Sequence, residues 1–160
     1  MTRIPGPAVP ADLLFRDLAP RLAGGIARIL ADRHGLWRSH DLLTAGAETL
    51  RLVAGEAGLP AGDVLRGAGL PALHALRPRR SAADWDALAR QGPEAPAAPD
   101  AVQARASAAF AALFDTAAGG GRMSPRSRAA LAAWVLAALL LAHCGPRDAD
   151  LGLAELADRL

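Results

Sequence analysis

The sequence predicts an all-α fold, an irregular helical bundle of about six to eight helices around a central apolar helix at 125–144. Three observations carry this reading. Residues 129–142 contain no polar side chain, and the run is bracketed by Ser124-Pro125 before it and Gly145-Pro146 after it. Elsewhere Leu, Ile, Val and Phe recur at intervals of three and four between Gly and Pro stops. No alternating apolar–polar run extends beyond a few residues, so no strand is expected.

In the central helix Ser124 offers an oxygen to a free backbone N–H, and Pro125 suits the first helical position. Gly145 can adopt the left-handed conformation that closes a helix, and Pro146 blocks continuation. Leu131, Trp134, Val135, Leu139 and Leu141 spread around more than half its circumference, with Ala129, Ala133 and Ala137 as a small-residue stripe on the rest. A helix apolar all round belongs in a core or in lipid. Its fourteen uninterrupted residues fall short of the ~20 that span a bilayer, and Arg128 and Arg147 limit any extension. A core helix is expected and a membrane partner is not. If the chain leaves the Ala129-Ala133-Ala137 stripe bare, that stripe is the candidate docking surface for a partner helix or a second copy.

The remaining elements follow in order. Residues 1–10 hold Pro5, Pro7 and Pro10 and read as an extended arm. A first helix from about Ala11 carries Leu14, Leu18, Leu22, Ile26, Ile29 and Leu30, with a kink or split expected at Pro20 and a stop at Gly35. Ser39 is the expected cap of a second helix bearing Leu42, Leu43, Leu50 and Val53, ending at Gly58. A tandem repeat follows: AGLPAGDVLRG at 57–67 and AGLPALHALRP at 68–78 agree at seven of eleven positions. Each unit can end a helix at Gly and open the next turn at Pro, so two very short helices at sharp angles are expected at about 60–77. Ser81 with Asp84 resembles a capping box for a helix carrying Trp85 and Leu88. The Pro-rich stretch 91–99 is a linker candidate that divides a single helical domain, 11–160, into subdomains 11–90 and 100–160. Asp100 is the expected cap of a helix with Val102, Phe110, Leu113 and Phe114, and Gly119-Gly120-Gly121 should fold it back antiparallel on the central helix. A last helix from Asp150 presents Leu153, Leu156 and Leu160.

Composition sets the outer limits. A chain of 160 residues can bury roughly 70% of its unfolded surface and needs no metal or disulfide to hold a core. All 18 basic residues are Arg and a quarter of the chain is Ala, a pattern that GC-rich codon usage explains. The net charge of +2 demands no acidic partner. A single cysteine, Cys144, excludes an internal disulfide and fits a reducing compartment. The first residues lack the apolar run of a signal peptide, so a cytoplasmic location is expected.

Residues 52–66 resemble the helix-turn-helix of many bacterial repressors. Ala54 is followed four residues later by a turn glycine, Gly58, then by apolar Leu59, with Val64 six beyond the glycine. The resemblance implies a DNA-binding module at about 48–67, with Arg51, Arg66, Arg77, Arg79 and Arg80 available to phosphates or to an acidic partner. The second helix would present Ala61, Gly62, Asp63 and Gly67, which offer little for reading bases. Arg122, Arg126 and Arg128 stand at the start of the central helix, where cations oppose the helix dipole. That conflict points to a partner or to an internal carboxylate.

No catalytic signature emerges. His34, His40, His74 and His143 show no three- or four-residue spacing, and no second Cys exists, so no local metal motif forms. Cys144 lies at a helix C-terminus, where a thiolate is disfavoured. No nucleophile elbow, phosphate loop or dinucleotide fingerprint is present. The sequence therefore predicts a non-enzymatic helical protein-interaction module, an adaptor, accessory subunit or assembly protein, without cofactor or metal. The alternative is a DNA-binding transcriptional regulator, and a weaker third reading is an enzyme whose site is assembled from dispersed residues.

Overall fold

A computed structural model describes residues 11–35, 39–79, 99–119 and 122–160. They form α1 (Ala11–His34), α2 (Ser39–Glu56), α3 (Ala61–Val64), a π turn (Leu65–Gly69), α4 (Leu70–Leu76) and a 3-10 turn (Arg77–Arg79). Then come α5 (Asp100–Ala117), α6 (Pro125–Cys144) and α7 (Ala149–Arg159). Among the described residues there is no strand, and the fold is an all-α bundle. The arm at 1–10, the Ser81–Asp84 box with Trp85, and residues 91–98 of the linker lie outside the described residues.

Helix α6 is the axis of the bundle. Ser124 Oγ accepts from the Ser127 N–H at 3.2 Å, and Pro125 opens the helix. Gly145, at φ 81°, closes it with its N–H donating to the Leu141 carbonyl at 3.1 Å. Ala129 and every residue from Leu131 to Ala142 are buried. Helices α1, α2, α3, α4 and α7 and the π turn all pack on it. The Ala129-Ala133-Ala137 stripe is 0% exposed at each position. It is therefore interior contact surface and not a docking face, because the absence of side chains beyond Cβ lets this chain's own helices close over it.

Several elements differ from the sequence expectation. Pro20 does not split α1, which runs unbroken through it. Proline forfeits one backbone bond, but packing holds the helix on both sides. Phe15 sets its ring edge against Trp134, with centroids 6.0 Å apart and planes at 66°, and Ile26 and Leu30 are buried beyond the proline. The buried face keeps Ile26 and Leu30 of the expected stripe, with Leu18 and Leu22 partly buried against the core, but leaves Leu14 exposed and adds Phe15, Ala19, Ala23 and Ala27.

Asp100 is the first residue of α5 and not its cap; Pro99 holds the cap position, without a side-chain bond. Its carboxylate still lies in the first turn, where the dipole favours it. Nor do α5 and α6 form a paired hairpin, since α1 and α2 pack against both of them.

The repeat at 57–78 also behaves asymmetrically. At its first copy Gly58, at φ 70°, closes α2; its N–H reaches the Gly55 carbonyl at 3.0 Å, and the Leu59 N–H reaches Ala54 at 2.9 Å. That is the double closure of a Schellman motif. At the second copy Gly69 stays helical, at φ −72° and ψ −38°. Two short helices exist, α3 and α4, but a π turn joins them without a sharp corner.

Close approach explains the glycines of this segment. A Cβ on Gly62 would meet the Ala157 carbonyl oxygen of α7 at 2.7 Å, and one on Gly69 would meet Leu153 Cδ1 at 2.8 Å. On α2, a Cβ on Gly46 would touch Leu136 at 3.0 Å, Leu139 at 3.3 Å and Phe110 at 3.4 Å. Gly62→Ala should therefore destabilise the chain, because a backbone carbonyl cannot move aside cheaply. Gly25→Ala, in the interior of α1 with nothing within 4 Å of its Cβ position, should stabilise it by about 0.5–1 kcal/mol. Thermal melts of the two variants check this: opposite signs are expected, and equal shifts would contradict the packing of α3 on α7.

Candidate functional site

Three of the five arginines predicted to face nucleic acid hold carboxylates of this chain. Arg51 pairs with Glu48 at 2.6 Å and Arg77 with Asp150 at 2.9 Å. Arg66 spans Asp158 at 2.5 Å and Asp63 at 3.5 Å. Arg79 ends the 3-10 turn, and Arg80 lies outside the described residues. The two Arg–Asp pairs at 66–158 and 77–150 tie the α3–α4 segment to α7. Ala61 and Gly62, expected on an exposed recognition surface, are buried. The reason is steric: the lack of a side chain at Gly62 admits the α7 backbone. Arg128 answers the conflict at the start of α6. Only 15% of its side chain is exposed, and it bonds Asp115 and, at 3.0 Å, Glu56. An internal carboxylate pair thus offsets its unfavourable position.

Two surface features stand out among the described residues. The first is a cavity of about 210 Å³ where the start of α2, the end of α6 and α7 converge. His40, in the first turn of α2, and His143, in the last turn of α6, line it with ring centroids 6.3 Å apart and planes at 45°. Thr44, Cys144, Glu155 and Arg159 complete its polar lining, and Leu43, Leu140 and Leu156 its apolar lining. Gly152 lets α7 reach this point, since a Cβ there would stand 2.6 Å from Cys144 Sγ.

Burial holds the His143 imidazole below its ordinary pKa of 6.5, and His40 pushes it further down. Burial raises the Cys144 thiol, and the Asp148 and Glu155 carboxylates add to that rise. A thiol held protonated is a poor nucleophile, so Cys144 is not poised for attack. Among the described residues no group of three or more His, Cys, Asp and Glu side chains is placed to hold a metal ion. No local spacing in the sequence signals the His40–His143 pair, because the two belong to helices far apart in the chain.

The second feature is an open groove of about 490 Å³ between α2 and α5. Thr44, Glu48 and Leu52 form one wall, and Asp100, Gln103, Ala104, Ser107 and Ala108 the other. Gln103 Nε2 donates to the Asp41 carbonyl at 3.2 Å and joins the walls. Leu52 stands on the rim, 60% exposed. The helical period that buries Leu50 and Val53 turns Leu52 outward.

The His143 shift has a direction in pH. Because the folded chain binds this proton less readily than the unfolded chain, stability is undiminished above the ordinary pKa of 6.5 and falls as pH drops through it. In chelator-containing buffer, the melting temperature should fall between about pH 8 and about pH 5 more steeply in the parent than in His143→Gln. Parallel profiles would contradict the assignment. Comparison with protein-family models, with curated proteins and with solved structures found no match.

Proposed function

We propose that the chain is a non-enzymatic helical interaction module, an adaptor or accessory subunit of a cytoplasmic complex, that receives a partner helix in the α2–α5 groove. The observation that carries this reading is Leu52, a large apolar side chain exposed on the rim of a groove whose opposite wall includes Ala104 and Ala108. Small residues allow a helix axis to approach closely, and an exposed leucine at the edge supplies an anchor for the helix-in-groove mode. A cytoplasmic setting is supported by the lone Cys144 and by the burial of α6. Over its full 20 residues, and not only the shorter uninterrupted run, that helix is long and apolar enough to cross a bilayer, yet 72% of its apolar window is buried inside the fold.

The rival reading, a DNA-binding regulator at 48–67, draws on the left-handed Gly58 between α2 and α3. Against it stand the carboxylates already holding Arg51, Arg66 and Arg77. Competition from fixed internal partners weakens phosphate contact, the main source of affinity for DNA.

Leu52→Glu tests the proposal. Because Leu52 is exposed, the variant should melt within about 0.5 kcal/mol of the parent. It should lose a protein that co-purifies with the parent from native lysate at stoichiometric amounts. Retention of that protein by the variant, or a parent chain that comes down alone, would overturn the reading. A salt-sensitive mobility shift with duplex DNA would favour the regulator instead.

A further inference from the structure

We propose that the α2–α5 groove selects a cationic partner, an amphipathic helix whose small apolar stripe is flanked by arginine or lysine. The inference rests on the groove reading above and adds the charge of the occupant. Both charged groups in the lining are carboxylates, Glu48 on one wall and Asp100 on the other. The chain as a whole carries a net charge of +2, so the negative sign is local to this surface.

Helices α2 and α5 run side by side in the same direction. Gln103 meets Asp41 near their starts, Gly46 lies against Phe110, and Arg128 bonds both Glu56 and Asp115 near their ends. Asp100 therefore stands where the groove begins, and Glu48 and Leu52 lie farther along it. From Thr44 to Leu52 the wall rises ~12 Å, room for about two turns of a docked helix. Long cationic side chains on the flanks of that helix reach the carboxylates while their stems lie along apolar surface.

The carboxylates are short of counter-charge. Arg51, half exposed, holds Glu48 through Oε1 alone, and a carboxylate accepts further donors. Among the described residues no ion pair reaches Asp100. Asp41 strengthens the negative field. It is 6% exposed and shares the face of α2 that carries Glu48 and Leu52. Gln103 takes only its backbone carbonyl, and no hydrogen bond or ion pair from a described residue reaches its carboxylate. A buried carboxylate without a partner favours a cation brought close to it.

Two synthetic peptides of about 18 residues, long enough to form helix, test the proposal by calorimetry with the full chain. Both carry Ala and Leu at every third and fourth position; one has Arg at the flanking positions and the other Glu. The Arg peptide should bind at least about tenfold more tightly, and the gap should narrow in about 0.5 M NaCl. The double variant Glu48→Gln, Asp100→Asn changes surface groups and should melt close to the parent. It should nevertheless lose at least about threefold in affinity for the Arg peptide. Equal binding of the two peptides, both weakened by Leu52→Ala, would overturn the charge preference and leave the groove reading standing. Binding of the Arg peptide that Leu52→Ala leaves unchanged, or that a scrambled Arg peptide without the apolar stripe matches, overturns both. The proposal also fails if the Arg peptide does not bind at millimolar concentration, or if the chain self-associates in a way that the double variant abolishes.

Discussion

The fold depends on one constraint: α6 has no polar side from Ala129 to Ala142, so it must be covered on every face. In water an uncovered face forfeits about 25 cal/mol for each Å² of apolar surface. No single neighbouring helix can cover a full circumference. The chain meets the requirement by wrapping α6 with α1, α2, the α3–α4 segment and α7. The order of helices in sequence matters less to this arrangement than the geometry of cover. That is why α5, joined to α6 by a short glycine-rich connection, packs on α1 and α2 instead.

Covering an alanine-rich helix requires close approach, and close approach requires small residues on the partners. Ala19, Ala23 and Ala27 on α1, Gly46 on α2 and the alanines of α6 meet that need. Between α3 and α7 the same device recurs at Gly62, where backbone meets backbone. Close-packed interiors transmit small changes in volume, so these glycines and alanines constrain the fold as strongly as its leucines. Charge is kept to the margin. Arg66, Arg77 and Arg128 each bridge elements distant in sequence at the edge of the core, where desolvation is partial. Such pairs fix orientation more than they add stability.

The all-α class, both ends of α6, the stops at Gly35 and Gly58 and the buried stripe of α2 were legible because they rest on local chemistry: period, capping oxygen and left-handed glycine. The buried face of α1 was legible in part: Ile26 and Leu30 of its apolar stripe are buried, but Ala19, Ala23 and Ala27 join them because of the helix crossing distance, which is a property of the partner. The second copy of the repeat was misleading for a related reason. Gly69 has the same neighbours in sequence as Gly58, but packing against Leu153 keeps it helical. Pro20 shows the same override of a local rule by tertiary contact. The His40–His143 pair and the α2–α5 groove were illegible, since each is made by helices far apart in the chain.

Amide hydrogen exchange in detergent-free buffer tests the central claim most directly. If α6 is covered by its own chain, the amides of 129–142 should be the slowest in the molecule. They should open only with global unfolding, at the ~5–15 kcal/mol typical of a folded domain. Exchange of α6 as fast as that at the helix ends, or protection that appears only when lipid or detergent is added, would contradict the account.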